Sequence, residues 1–218
     1  MPPAPPMLAG RRIRVTLARD ADAMALLSFH RRNRDHLRRW SPPVPDAFYT
    51  ISYWSQWAAQ TRLLYDHEQA VRLVFRLIGA PEGIVIGQIN FSNIVRGPFQ
   101  AAYLGYQIDA EHEGLGLMSE ALRLAVDFMF GPFGLHRIMA NYIPDNERSA
   151  RLLERLGFEK EGYARDYLFI DGDWRDHVLT ALINREAAPP ARPQMTSGKP
   201  TVPAKPSQRL ITRRGLKV

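Results

Sequence analysis

A strand, a glycine turn and a helix follow one another between residues 101 and 124, and this junction constrains the fold more than any other segment. The run AAYLGYQI predicts a strand over Ala101–Ile108, and apolar residues at helical spacing predict an amphipathic helix after it. Between them lie Gly114 and Gly116, and glycines allow backbone N–H groups to approach a bulky ligand. The first turn of a helix also has unpaired N–H groups and a positive dipole end. The junction therefore predicts an anion site, most often one for phosphate.

Two common phosphate motifs do not fit this junction. A P-loop is excluded, because the chain contains no G-x-x-x-x-G-K-[ST] run. A dinucleotide fingerprint would need a third glycine where Ser119 stands and an acid about twenty residues later. His136 occupies that later position, and residues 137–142 contain no acid. A plain glycine-rich connection without a ligand stays open as the simplest alternative.

The remaining pattern predicts an α+β domain with a mixed, mostly antiparallel sheet of six to seven strands. Three consecutive strands form a meander, and the strand–helix–strand unit that follows is a parallel crossover. Asn146 is a good N-cap for a helix over 147–156, and Gly157 fits its C′ position. The strands are predicted at 12–17, 71–78, 84–93, 101–108, 137–142, 159–170 and 177–184.

Composition divides the chain into three parts. Residues 1–10 form a Pro-rich arm, residues 11–186 form the globular domain, and residues 187–218 form a Pro-rich tail that we expect to be disordered. The tail contains seven Lys and Arg and no acid, so it accounts for the whole formal net charge of +7. Such a tail can hold RNA or a ribosome weakly by electrostatics, or it can be a solubilising extension.

Other features limit the class of protein. The chain has no cysteine, which excludes a disulfide framework, a thiolate zinc site and a cysteine nucleophile. No apolar run is long enough to suggest a membrane span, and the N-terminus does not fit a signal peptide. No His, Asp or Glu cluster has metal-ligand spacing. These features favour a cytoplasmic protein that requires neither a membrane nor a metal.

Two segments together resemble the GNAT family of acetyl-CoA-dependent N-acetyltransferases. They are EGLGLM at residues 113–118 and PDNERSARLLERLGF at residues 144–158, and the resemblance covers about residues 11–185. The run from residue 136 to residue 182 resembles the branch that acetylates the N-terminal alanine of a small-subunit ribosomal protein. The resemblance implies a sheet splayed at its centre, acetyl-CoA as co-substrate and a protein α-amino group as acceptor. Two alternatives are a GNAT enzyme acting on a small-molecule amine and a ribosome- or RNA-binding module with a degenerate cofactor site.

The resemblance also assigns the pyrophosphate loop. The family pattern is Gln or Arg, two residues, Gly, one residue, then Gly or Ala, and these slots fall on Glu113, Gly116 and Met118. Glu113 departs from the pattern because a carboxylate repels a pyrophosphate, so we expect its side chain to point away. We expect the side chains of Leu115 and Leu117 to pack against the helix. The candidate N–H donors are Glu113, Gly114, Leu115, Gly116, Leu117, Met118 and Ser119.

The strand before the loop, over residues 103–109, is implied to run beside the pantetheine arm, and its cofactor-binding candidates are Gln107, Ile108 and Asp109. A backbone N–H near Gln107 or Ile108 would face the thioester carbonyl and stabilise an oxyanion. Asn146 would touch the cofactor besides capping its helix.

The resemblance further suggests a catalytic acid. The tyrosine of many family members falls at Leu153 and is absent, which favours Ser149 as the acid that protonates the departing thiolate. Tyr106 is a second candidate catalytic residue. The general base stays open among Tyr106, His112, Asp166 and Asp109.

Overall fold

The computed structural model describes residues 1–81 and 83–187. Within these ranges eight strands form one mixed sheet and five α-helices flank it. The helices are α1 (Ala23–Arg32), α2 (Arg34–Arg38), α3 (Ile51–Asp66), α4 (Leu117–Phe130) and α5 (Glu147–Arg155). The strands are β1 (Met7–Ala9), β2 (Ile13–Leu17), β3 (Val71–Leu77), β4 (Gly87–Val95), β5 (Ala101–Ile108), β6 (Arg137–Met139), β7 (Glu159–Ile170) and β8 (Asp173–Ile183).

The sheet order is β1-β2-β3-β4-β5-β6-β8-β7, and β5 with β6 is the parallel pair. The predicted meander is confirmed, since β3, β4 and β5 pair antiparallel with Val71 opposite Phe91 and Phe91 opposite Leu104. Helix α4 makes the predicted crossover between the parallel strands. The α+β class and the mixed sheet are therefore confirmed.

Each face of the sheet has its own apolar layer. Helix α4 packs on one face, where Leu122 and Met129 meet Ile89 and Phe91 of β4. Helices α1 and α3 cover part of the other face, in a second cluster that includes Phe29, Leu26, Trp54 and Val74. Because side chains alternate along a strand, Gln88 and Asn90 of β4 point towards the α1–α3 layer.

Several predicted boundaries were wrong. Strand β6 ends at Met139 rather than at residue 142, and beyond it Tyr142 forms an isolated bridge with Val178. The Pro-rich arm contributes the edge strand β1, which pairs with β2 and raises the count to eight. Three residues between Pro6 and Gly10 are too few to show an alternating pattern. The hairpin strand β8 begins at Asp173 rather than at residue 177, because the turn is tight: Asp171 and Gly172 both have positive φ, 50° and 87°. Strand β4 begins at Gly87 rather than at residue 84.

The sheet is splayed at its centre, as predicted. The parallel pairing of β5 with β6 covers Ala101 to Tyr103 and stops there. Beyond this point the chain after β6 turns to β8, where the N–H of Ala140 donates to Thr180 O at 3.0 Å. The second half of β5 therefore has β4 on one side and, among the described residues, no strand on the other. None of the described helices has the length and hydropathy to cross a bilayer.

Candidate active site

The open edge of β5 carries backbone groups that the sheet does not use. Gln100 O accepts from Arg137 N on the β6 side, whereas Asp109 N donates to Ile86 O on the β4 side. Successive residues of a strand alternate in this direction, so even-numbered residues of β5 face the gap. The N–H groups of Tyr106 and Ile108 therefore lie on the open edge. The backbone of Gln107 faces β4 instead, so Ile108 fits the predicted donor role and Gln107 does not.

The glycine turn is built for close approach. Gly114 and Gly116 have φ of +73° and +75°, a left-handed conformation that L side chains rarely adopt. Arg12 holds the turn in place. Its Nη1 donates to Leu115 O at 2.8 Å, and its Nε donates to Glu120 Oε2 at 2.9 Å. Within the described ranges, the N–H groups of residues 114–119 donate to no other residue. A row of free donors at a helix N-terminus is an anion site.

The side chains of the turn divide by position. Leu117 and Met118 are buried in the core, as predicted for Leu117, and Ser119 is half-buried in the first turn of α4. The prediction that Leu115 packs against the helix was wrong, because its side chain is 56% exposed. Leu115 precedes the left-handed Gly116 that starts the helix, so it has no helical face to pack on.

Glu113 is contacted by side chains from two other elements. Its Oε1 lies 3.3 Å from His36 Nε2 of α2, and its Oε2 contacts Arg148 Nη1 of α5. Burial, and secondly the Arg148 charge, hold the pKa of His36 below its ordinary value. The Glu113 N–H donates to Ala110 O at 3.3 Å, so Glu113 is already engaged by both its backbone and its side chain. The repulsion expected from this carboxylate is thus offset by Arg148.

Tyr106 and Ser149 meet across the splay. The Tyr106 hydroxyl lies 2.5 Å from Ser149 Oγ, which links β5 to the first turn of α5. Burial raises the pKa of Tyr106 to about 12, against a smaller opposing effect of the Ser149 hydrogen bond. Tyr106 therefore stays protonated at neutral pH and can supply a proton but not remove one. Asn146 Oδ1 accepts from Ser149 N at 3.1 Å, which confirms the predicted helix cap.

Asp109 belongs to a buried structural network. Its carboxylate contacts Arg32 Nε and accepts from Asn33 Nδ2 at 3.2 Å and from Glu111 N at 3.1 Å. Burial alone would raise the pKa of Asp109, but hydrogen bonds from Arg32 and Asn33 outweigh it and hold the pKa below its usual value. A buried carboxylate in this ion pair holds the start of the loop in place and is a poor proton acceptor.

The other two base candidates, His112 and Asp166, lie away from Tyr106. His112 Nδ1 lies 3.8 Å from Asp109 Oδ1, at the end of the short turn before the glycines. Asp166 is exposed in the irregular part of β7, where its N–H donates to Asp176 Oδ1 at 2.9 Å. Neither side chain contacts Tyr106 or Ser149 in the described structure, and their base role stays a prediction.

A cavity of about 810 Å³ opens on the α1–α3 face of β5. Its floor is formed by β4 and β5, and its walls are aromatic side chains from α3 and the preceding turn. The exposed loop around Pro42 and the hairpin turn at Asp171 and Gly172 form its mouth. The lining includes His30, Arg34, Arg38, Trp40, Phe48, Tyr49, Tyr53, Trp54, Trp57, Gln88, Asn90, Gly105, Tyr106 and Gln107.

The basic segment over residues 30–40 forms part of this cavity. Arg34 and Arg38 lie at the mouth, and Arg38 Nε is 3.4 Å from Asp171 Oδ1 across it. His30 is buried and stacks on Trp54, with ring centroids 4.3 Å apart. Burial lowers the pKa of His30 to about 4, although its hydrogen bond to Gln88 opposes the shift, so the ring is neutral at pH 7.

Sequence reasoning missed three residues of this cavity: His30, Gln88 and Asn90. His30 was hidden within a run of arginines that resembles a solvated helix face. Gln88 and Asn90 carried a weak signal, since both are polar residues at alternate positions of a strand that is otherwise apolar. In the ranges that the structure covers, no group of three or more His, Asp or Glu side chains is placed to hold a metal ion.

The sequence and the fold are similar to those of known proteins. The family model of the acetyltransferase (GNAT) domain matches residues 12–159. The ribosomal protein uS5-alanine N-acetyltransferase of Escherichia coli K12 is 49% identical over 179 residues, which are 82% of this chain and 91% of that enzyme.

Two solved structures superpose on nearly the whole described domain. The ribosomal-protein-S5-alanine acetyltransferase from Vibrio fischeri does so with a TM-score of 0.81 and 41% identity, over 84% of this chain and 100% of that one. RimJ from Mycobacterium smegmatis, solved in complex with CoA-disulfide, has a TM-score of 0.79 and 28% identity, over 85% and 91% of the two chains.

Proposed function

Because the chain belongs to the GNAT acetyltransferase family, we propose that it transfers the acetyl group of acetyl-CoA to the α-amino group of a protein N-terminus. The acceptor we infer is an alanine terminus, that of the ribosomal protein uS5, as named for its relatives in Escherichia coli and Vibrio fischeri. The observation that carries the proposal is a convergence on β5. The open strand edge and the aromatic cavity meet at Tyr106. The first turn of α5 contacts Tyr106 through Ser149 and contacts Glu113, just before the glycine turn, through Arg148.

The residues around the splay fit coenzyme A. The free N–H groups of residues 114–119 suit a diphosphate, and the open backbone edge at Tyr106 and Ile108 suits an extended amide-containing arm. Ser149 contacts Tyr106 from the first turn of α5, and Asn146 caps the same helix; these two residues are proposed to contact the cofactor arm. When bound, acetyl-CoA supplies an activated acetyl thioester. The chain's own residues then position the thioester, exclude water and move protons.

Ser149 is the proposed proton donor to the departing thiolate. Its Oγ is held 2.5 Å from the Tyr106 hydroxyl, which can replace the proton that Ser149 gives up. Because its pKa is raised, the Tyr106 hydroxyl keeps its proton at neutral pH and can donate it to Ser149. Tyr106 therefore acts through Ser149, as the second member of a two-hydroxyl relay.

The acceptor amine needs little help to lose its proton. A peptide α-amino group has a pKa near 7.7–8.0, so a useful fraction is neutral at pH 7. The cavity wall contributes neutral His30 and aromatic rings, and its acids, Asp46 and Asp171, are exposed at the mouth. Such surroundings disfavour an ammonium ion and leave the attacking nitrogen uncharged.

The same electrostatics favour a protein terminus over a small polycation. A polyamine site needs carboxylates along its length, whereas the acids that line this cavity, Asp46 and Asp171, lie at its mouth together with Arg34 and Arg38. The mouth is bordered by an exposed loop and an exposed hairpin turn, which leaves space for a chain to continue outwards.

A panel of acceptors tests the proposal. The protein is incubated with acetyl-CoA and one acceptor at a time: peptides that begin with Ala, Ser or Met, and one small polyamine. The mass of each acceptor is then measured by mass spectrometry. We expect the mass of one acetyl group on the Ala peptide first, with the polyamine unchanged. Acetylation of the polyamine and of no peptide would refute a protein N-terminus as the acceptor, although the GNAT fold would stand. Failure to bind acetyl-CoA would favour the alternative of a binding module with a degenerate cofactor site.

Contact between the basic tail and RNA stays a hypothesis, because residues 188–218 lie outside the described residues. Its support is the run of seven cations without an acid. Deletion of residues 187–218 should weaken ribosome or RNA association at low salt and leave peptide acetylation intact. Unchanged association at low salt would remove the hypothesis.

A further inference from the structure

Two amide groups on the cavity floor have polar atoms without partners. Gln88 Nε2 and Asn90 Oδ1 are buried atoms with no hydrogen bond to any described residue. Gln88 is 2% exposed as a residue, and both side chains line the cavity. Leaving a buried donor or acceptor unsatisfied costs about 1–3 kcal/mol, so each such atom in a native fold calls for a ligand or another reason.

The two amides form a matched pair. Residues 88 and 90 are two apart on β4, so their side chains leave the same face about 7 Å apart along the strand. One presents a donor and the other an acceptor. Their cross-strand neighbours on β5 are Gln107 and Gly105, and an atom added at the Cβ position of Gly105 would meet nothing within 4 Å. The glycine thus leaves open space beside Asn90, next to Tyr106.

His30 contacts the oxygen end of the Gln88 amide. His30 Nε2 lies 2.7 Å from Gln88 Oε1, and the ring stacks between Trp54 and the edge of Phe48. With the amide oxygen facing the ring, the tautomer that carries its proton on Nε2 is the one that pairs with it. The amide nitrogen is therefore turned away from His30 with its hydrogens unused.

We propose that this amide pair recognises the first residue of the acceptor chain. Asn90 Oδ1 accepts an N–H of the α-amine and Gln88 Nε2 donates to the first carbonyl oxygen. This inference rests on the proposed function and adds the chemical group that the site reads: an amine and a carbonyl attached to one carbon. A lysine ε-amine or a polyamine offers the first group without the second. Asn90 also turns the nitrogen lone pair towards the open edge at Tyr106.

The carbonyl contact is tested by a double-mutant cycle between enzyme and substrate. One acceptor is an Ala peptide, and the other is its analogue in which a fluoroalkene replaces the first peptide bond. Gln88→Met removes the side-chain donor, and Gln60→Met, on the exposed surface of α3, is the matched control. We expect kcat/KM for the Ala peptide to fall about tenfold with the analogue or with Gln88→Met. The two changes together should cost no more than either alone.

A second variant tests the proposal even if Gln88→Met fails to fold. Gly105→Val adds bulk in open space beside Asn90, at a position with no positive φ, so its melting temperature should match wild type. We expect its peptide KM to rise at least about tenfold while the Kd for acetyl-CoA, measured by titration calorimetry, is unchanged. Asn90→Leu should likewise raise the peptide KM and leave the acetyl-CoA Kd unchanged.

The outcomes separate the two proposals. If wild type acetylates the Ala peptide but the Gln88 and analogue effects simply add, or Gly105→Val has the wild-type KM, the amide pair is not the reader and the proposed function stands. If wild type acetylates no α-amine at all, both proposals fall. Non-additivity together with a KM effect at Gly105 supports the inference.

Discussion

Replacing Gly114 by alanine tests the anion turn against a control of the same backbone strain. Gly114 has φ of +73° and Gly134, at the end of the turn after α4, has φ of +76°, and a Cβ added at either glycine would meet nothing within 4 Å. A left-handed alanine costs about 1–2 kcal/mol at either site. In a domain of this size each kcal/mol lowers Tm by about 2–4 °C, so the two variants should melt alike.

Only the methyl group added by Gly114→Ala lies within residues 114–119, whose N–H groups have no partner among the described residues. We expect Gly114→Ala to weaken acetyl-CoA binding at least about tenfold by titration calorimetry, which corresponds to about 1.4 kcal/mol. Gly134→Ala should bind like wild type. Equal acetyl-CoA affinities for the two variants would refute the reasoning that places the diphosphate on this turn.

Three further predictions concern protons and charges. Ser149→Ala should lower kcat about 100-fold at unchanged acetyl-CoA Kd, and Tyr106→Phe should lower it less because Tyr106 acts through Ser149; wild-type thiol-release rates in Ser149→Ala would remove the relay. Arg148→Gln removes the cation that offsets Glu113 and leaves the His36 contact in place. Two charge pairs separated by about 8 Å in water are worth about 1 kcal/mol, so acetyl-CoA Kd should rise about fivefold. Glu113→Gln should tighten acetyl-CoA binding to a similar extent, so the double variant should return near wild type at low salt; a double variant that binds acetyl-CoA as weakly as Arg148→Gln alone would contradict this offset. Because the pKa of His30 is about 4 in the fold against an ordinary 6.5, the unfolded chain binds the extra proton between these values and stability falls as pH drops through that window. His30→Phe should flatten the Tm profile from pH 6.5 to 4, and an unchanged slope would show that His30 is not buried as described.

The sheet could be predicted where one local signal decides it. Alternation in β2, the two glycines before α4, and the Asn146 cap with Gly157 at the end of α5 are each dictated by nearby residues. Strand β1 could not be predicted, because its three residues have no pattern of their own and become a strand by pairing with β2. Such an edge depends on tertiary contact.

The candidate site shows the same division between features set by local sequence and features set by tertiary contacts. Backbone donors follow from glycine placement, so the loop over residues 114–119 was predictable. The relay partners Tyr106 and Ser149 were each candidates, but only the fold shows that their oxygens meet across 43 positions of sequence. His30 and Gln88 are 58 positions apart, and their pairing converts an arginine-rich helix and an apolar strand into one cavity wall. Long-range juxtaposition of this kind leaves no local trace.

The central claim is most directly tested by locating the acetyl group on a single substrate. A peptide with a free N-terminal alanine and one internal lysine is incubated with wild-type protein and acetyl-CoA, and fragment ions are read by tandem mass spectrometry. Transfer to the α-nitrogen of alanine with the lysine unmodified is the predicted result. Acetyl found on the lysine, or on neither nitrogen, would contradict the account.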